Sequence, residues 1–161
     1  MPYRRTWLRA AVYAVVLMLF ALSCQASGPQ GIAELPKGTP AMALTPHLSY
    51  LHDKSAVDTP EDAWRKIAAG GFQRVPKGKT AFGFQQGAYW FHAEVVNRDP
   101  DELHWMLVQR FALLDRIDLF VRYPDGRVVQ QASGDSLPFS ARSISYRHPN
   151  FRIELPIDQK V

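Results

Sequence analysis

Cysteine is nearly missing: the 161 residues contain one, Cys24. It falls in a leader segment, so the domain beyond it has no disulfide and no thiolate chemistry, and its core must hold by packing. A phosphate-binding loop is missing too. Neither the Walker pattern nor the dinucleotide fingerprint can be written anywhere on this sequence. Charge of one sign is scarce once it is located. Lys and Arg number 19 against 15 Asp and Glu, a formal +4, but Arg4, Arg5 and Arg9 lie at the extreme N-terminus. Without those three the balance is 16 against 15, which is no electrostatic footprint for a polyphosphate and excludes nucleic acid as a partner. Histidines number 5, yet no pair has the spacing of a helical or ribbon metal site and no cysteine assists, so neither metal nor cofactor is expected. His47, His52 and Asp53 cluster at the domain entry and read as loop-capping groups. Carboxylates paired for glycoside chemistry are unmarked as well: Asp99, Asp101 and Glu102 sit in a polar turn and read as solvated.

What is present describes one exported domain. Hydrophobic residues at 47% and charged residues at 21% exclude a disordered or low-complexity chain, and the length suits a single core. The N-terminal arginines, the uncharged run Ala10–Cys24 and the polar stretch Gln25–Gln30 have the order of a secretory signal. That run is shorter than the roughly 20 residues needed to span a bilayer, which favours cleavage, with Ala26 the last leader residue, over a retained anchor. Lipidation at Cys24 is disfavoured, because Ala21 stands where a lipobox has leucine. The expected segments are a signal peptide over 1–26, a linker over 27–46 rich in Gly, Pro and Ala, and a domain over 47–161. Export without disulfides suits a bacterial periplasm.

Within the domain one helix is clear. Thr59 is a natural N-cap, Pro60 suits the first turn, Glu61 and Asp62 favour the positive end, and Gly70-Gly71 terminates it. Trp64, Ile67 and Ala68 share a face, and Trp64 is expected in the core. The remainder alternates with a period of two. Tyr89–Asn97 places Tyr89, Phe91, Ala93 and Val95 opposite Trp90, His92, Glu94 and Val96, and His104–Gln109 resumes after the turn Asn97–Glu102. In Arg116–Arg122 the residues Ile117, Leu119 and Val121 point inward, with Phe120 the exception on the outer face. A turn at Pro124-Asp125-Gly126 returns Arg127–Gln131 as the hairpin partner, and Phe151, Ile153 and Leu155 form a last alternation. Short strands, turn residues and one small helix describe an all-β fold, a β-sandwich of the jelly-roll kind. The sequence stops at Val161 directly after a strand, so the sandwich is expected to lack its last strands.

Two features carry possible chemistry. Gly134-Asp135-Ser136-Leu137 resembles the tetrapeptide of the GDSL esterases, which makes a secreted serine hydrolase using Ser136 the rival reading. Those enzymes need an Asp-x-x-His pair far downstream, whereas the sole later histidine, His148, follows Ser145 at that spacing and Pro138 opposes the helix that should follow the nucleophile. The aromatic residues offer a different chemistry. A sheet face can stack a sugar ring or an apolar acid, with charged or amide side chains fixing its edges. Trp90 shares its strand face with His92 and Glu94, the mixed polar and aromatic lining of a cleft. Arg142 and His148 lie in an irregular stretch where function concentrates, and Arg142 is placed to pair with a carboxylate or hydroxyl. For that pair the plain alternative is a loop braced by side-chain hydrogen bonds. Trp90, His92, Arg142 and His148 are the expected ligand-proximal residues; a non-binding structural module of the envelope is the third class.

An ordered set of segments then becomes familiar. Leu48-Ser49-Tyr50-Leu51-His52-Asp53 leads into the helix. Phe82-Gly83-Phe84 and Gly87-Ala88-Tyr89-Trp90-Phe91 lead into a strand ending at Asn97, and Leu114-Asp115-Arg116-Ile117-Asp118-Leu119-Phe120 follows. Gly134-Asp135, Pro138-Phe139, Arg142 and the stretch His148–Phe151 close the set. In this order they resemble the type-two extracellular domain of bacterial seven-transmembrane receptors with diverse intracellular signalling modules, over roughly Leu48–Val161. The resemblance implies a periplasmic, jelly-roll sensor domain similar to carbohydrate-binding modules. It would bind a small molecule or carbohydrate and be attached to the inner membrane through a receptor whose output is a diguanylate cyclase or histidine kinase. It also implies that Gly134-Asp135 opens a loop, with no nucleophile role for Ser136. Two departures stand: His92 occupies a place often held by arginine, and no membrane helices or output module follow, which reads as a truncated receptor in preference to a soluble stand-alone relative.

Overall fold

The computed structural model describes residues 31–77, 81–83, 85–111 and 113–161. The expected signal peptide lies outside the described residues. Nine strands and one α-helix follow in order: β1 (Ala33–Pro36), β2 (Ser49–Asp53), α1 (Pro60–Ala68), β3 (Gln73–Arg74), β4 (Ala88–His92), β5 (Val95–Arg98), β6 (His104–Val108), β7 (Ile117–Arg122), β8 (Val128–Ser133) and β9 (Asn150–Glu154). The strands form four small sheets: β1–β5, β3–β2–β4, β6–β9 and β7–β8. This is the all-β sandwich that the period-two runs predict. Its layers meet where Trp90 of β4 packs on Phe120 of β7, ring centroids 6.0 Å apart. Further ties run from β9: the Tyr123 hydroxyl donates to the Glu154 carbonyl at 3.0 Å and the Gln131 amide to the Arg152 carbonyl at 2.7 Å.

The β7–β8 hairpin pairs Ile117 with Ser133 through Arg122 with Val128. Its loop closes with Tyr123 N–H donating to the Arg127 carbonyl and Gly126 N–H to the Tyr123 carbonyl. Gly126 has a φ of 87°, which a side chain would strain. Helix α1 starts as expected. Thr59 Oγ1 accepts from Asp62 N–H while the Asp62 carboxylate accepts from Thr59 N–H, a reciprocal box that satisfies two of the free first-turn donors.

Four expectations need correction. Residues 33–36, assigned to a linker, form β1, which pairs in parallel with β5 and buries Ala33 and Leu35. Four residues beside a Gly/Pro-rich stretch are too few to show a period. The long strand expected from Tyr89 to Asn97 breaks at Ala93-Glu94, because the chain leaves β2 as a partner and takes up β1 instead. The helix buries Ala63 rather than Trp64, which stays half-buried with the Arg122 guanidinium over its ring at 4.8 Å. Finally, Asp99 is buried, not solvated: its carboxylate accepts from Gly38 N–H and Asp101 N–H, so it splints the β5 turn to the chain after β1.

The core is modest and centres on Phe151, Val121, Tyr123, Leu155 and Val96. Asn97, fully buried, is its polar hub. Its amide donates to the carbonyls of Glu102 and Leu155 and its carbonyl accepts from Asp99 N–H, so its own polar atoms are satisfied within the core.

Candidate functional site

Gly87 sets the entry to β4. Its φ is 96°, and a Cβ there would stand 2.2 Å from the Asp53 carbonyl oxygen, so only glycine allows β4 to run against β2 from its first residue. The antiparallel register Leu51↔Trp90 and Ser49↔His92 puts these four side chains on one face. That face looks onto β7. Trp90 meets Phe120 with an interplanar angle of 31°, and His92 stands edge-on to Phe72 at 6.3 Å. Phe120, expected as an exception on an outer face, therefore packs between the sheets, and Arg122 two residues on lies over the Trp64 ring. Burial holds the His92 imidazole below its ordinary range; Glu94 pulls the other way, and Arg122 and Lys160 push it further down. His92 is neutral at pH 7 and can accept or donate one hydrogen bond.

The second neighbourhood is the loop between β8 and β9. Gly134, at φ 134°, lets the chain pass where a Cβ would lie 2.4 Å from the Asp115 carbonyl. Asp135 and Ser136 then donate their N–H groups to the carbonyls of Leu114 and Asp115, and Ser136 Oγ donates to the same Asp115 carbonyl at 2.6 Å. The serine proton is committed to the backbone, and Gly134-Asp135 opens a loop. Arg142 lies over the Phe139 ring at 4.7 Å, donates from Nη1 to the carbonyls of Tyr146 and Arg147, both at 2.7 Å, and reaches Asp135 with Nη2 at 3.4 Å. His148 accepts from Arg147 Nε at 3.0 Å through Nε2, which fixes its proton on Nδ1. Asn150 secures the loop by bonding Ile144 N–H and the carbonyls of Ile144 and His148.

The structure thus brings Trp90 and His92 together on the inner face of β4, and Arg142 and His148 together in the loop. Three of the four share a further property. Trp90 Nε1, Arg142 Nε and His148 Nδ1 are buried donors with no partner among the described residues. The same is true of Trp105 Nε1 and Ser133 Oγ. No group of three or more His, Cys, Asp or Glu among the described residues is placed to hold a metal ion.

A third feature escaped the sequence reading. The other face of β2 and β4 gathers Tyr50, His52, Tyr89 and Phe91, with Phe82 laid against them. His52 and Tyr89 stack at 4.3 Å and 2°, and Phe82 stands 4.6 Å from Tyr50 and 4.7 Å from Tyr89. A hollow of about 260 Å³ opens among Tyr50, His52, Gln73, Phe82 and Tyr89. The alternation of Tyr89 and Phe91 with Trp90 and His92 was visible in the sequence; what was not is that β2, carrying Tyr50 and His52, is their partner.

The fold and these surfaces define an all-β domain that presents side chains from sheet faces and one braced loop. The family described as 7TMR-DISM extracellular 2 matches residues 45–161, and the chain belongs to that family. It is the extracellular, sensing part of a membrane receptor, an exported domain that is not itself catalytic. No curated protein and no solved structure matches the chain. No helix among the described residues is long and apolar enough to cross a membrane.

Proposed function

We propose that this domain binds a small molecule or carbohydrate in the periplasm and passes its occupancy to the membrane part of a receptor whose cytoplasmic output is a diguanylate cyclase or histidine kinase. Its signal peptide directs export, and the sandwich takes the jelly-roll course of carbohydrate-binding modules. The ligand lies against Trp90, His92, Arg142 and His148. The observation that carries this reading is the set of orphaned donors: Trp90 Nε1, Arg142 Nε and His148 Nδ1 are taken out of water without an acceptor. Each such group costs about 1–3 kcal/mol until it is satisfied, and a ligand rich in hydroxyl, carbonyl or carboxylate oxygens satisfies it. Binding to one receptor state more tightly than to the other then shifts the receptor's equilibrium by that difference.

The test is a melting-temperature screen of the whole chain against neutral monosaccharides and short-chain carboxylates, repeated on Trp90→Phe and His148→Gln. Both variants keep a ring or a planar amide while changing the donor. A probe that raises the wild-type midpoint and loses at least half of that rise in either variant supports the reading. A panel without any stabilising member, or rises equal in all three proteins, overturns it.

A further inference from the structure

We propose that the outer face of the β3–β2–β4 sheet is a second binding site, separate from the inner face of β4 and the loop above, and that it takes a single ring of a neutral sugar. The face is built by register. Tyr50 pairs with Phe91 and His52 with Tyr89, so four rings from two strands come to one side of the sheet, and Phe82 completes a continuous aromatic surface. Phe82 lies 5.7 Å from Phe91, and Tyr89 and Phe91 stand nearly parallel at 25°. This is not the core side. Trp90 and His92, on the opposite face of β4, make the contacts with Phe120 and Phe72, while Phe91 remains 48% exposed.

Size, charge and polar edges select the ligand. The hollow of about 260 Å³ is small and open to solvent, with room for one ring. Among the described residues its lining carries no carboxylate, guanidinium or ammonium group, so these residues offer a charged ligand no counter-charge. Yet the hollow is not purely apolar. The Tyr50 hydroxyl donates to Gln73 Oε1 at 3.4 Å, which orients the amide so that its NH₂ is the end left to donate. His52 donates from Nε2 to the Gln86 carbonyl at 2.7 Å, which makes Nδ1 the acceptor of its neutral ring. A hydrocarbon or a plain aromatic ring would strand these groups. A pyranose lays its C–H face on the Tyr89 and Phe82 rings and turns its hydroxyls toward Gln73, Tyr50 and His52.

Titration of the full chain with glucose, galactose and N-acetylglucosamine, followed by tyrosine and tryptophan fluorescence or by chemical-shift change, tests this. At least one of them is expected to bind with a Kd of about 1 mM, the range open to so small a ligand. Gln73→Ala and Tyr89→Ala are expected to weaken it about tenfold, glucuronic acid to bind less tightly than its neutral parent, and Glu61→Gln, on the exposed side of α1 and in neither site, to leave it unchanged. Gln73 is exposed, so its replacement tests the site even where Tyr89→Ala perturbs folding. Absence of saturable binding by all three sugars overturns the proposal. So does binding that survives Gln73→Ala but falls with Trp90→Phe, which would assign the sugar to the inner face of β4 and leave that reading standing.

Discussion

His92 shows how one buried residue couples the fold to solution conditions. Its imidazole titrates below the ordinary 6.5 in the folded chain because it is buried. Below about pH 6.5 the unfolded chain takes up a proton that the folded chain refuses, so stability falls as the pH drops, until the folded imidazole titrates as well. Urea midpoints are expected to decline as the pH falls below about 6.5, and His92→Gln to flatten that part of the curve. The carboxylates act elsewhere on the scale. Asp53, held down first by Asp58 N–H, and Asp99, held down first by Gly38 N–H, both titrate below their ordinary 3.8, so their stabilisation is complete above that value and is lost only at lower pH. Gly87 makes a steric case at the same scale. Gly87→Ala sets a methyl against the Asp53 carbonyl and is expected to cost at least about 2 kcal/mol by chemical denaturation.

At the level of elements, two substitutions separate local from distant support. Thr59→Ala removes the acceptor for Asp62 N–H and is expected to cost about 1 kcal/mol, confined to α1 and visible as faster amide exchange in its first turn. Asn97→Ala leaves the carbonyls of Glu102 and Leu155 without their donor and is expected to cost about 3 kcal/mol, with a drop in the global unfolding midpoint. These elements also mark what a sequence can disclose. The runs that became β6, β7 and β9 alternate long enough for the pleat to be visible, β8 is legible from the turn that returns it, and the Thr59-Pro60 start of α1 is written in the cap chemistry itself. β1 is not legible, because Ala-Glu-Leu-Pro is strand only through its pairing with Val95–Arg98, over sixty residues away in sequence. The break at Ala93-Glu94 is hidden for the same reason: it reflects a change of partner. The two pairs Trp90–His92 and Arg142–His148 could be chosen from alternation and loop position. That β2 would add Tyr50 and His52 to the far side of β4 depends on long-range register, which no local pattern encodes.

At the scale of the molecule, β1 lies ahead of the family match at 45–161, yet it belongs to the folded body. Removing residues 31–44 is expected to lower the denaturant midpoint and to promote self-association in size-exclusion chromatography, because the β1 side of β5 then becomes an open edge. That edge matters because β5 is flanked twice. On one side runs β1; on the other, Val161 exchanges two backbone hydrogen bonds with Val95, at 2.8 and 3.0 Å, and Lys160 bridges Val96. A pull transmitted along the backbone from residue 31 and one transmitted from residue 161 therefore load the same four-residue strand. A load applied between those two points would be felt first there, beside the turn that carries Asn97, and only afterwards by the other sheets.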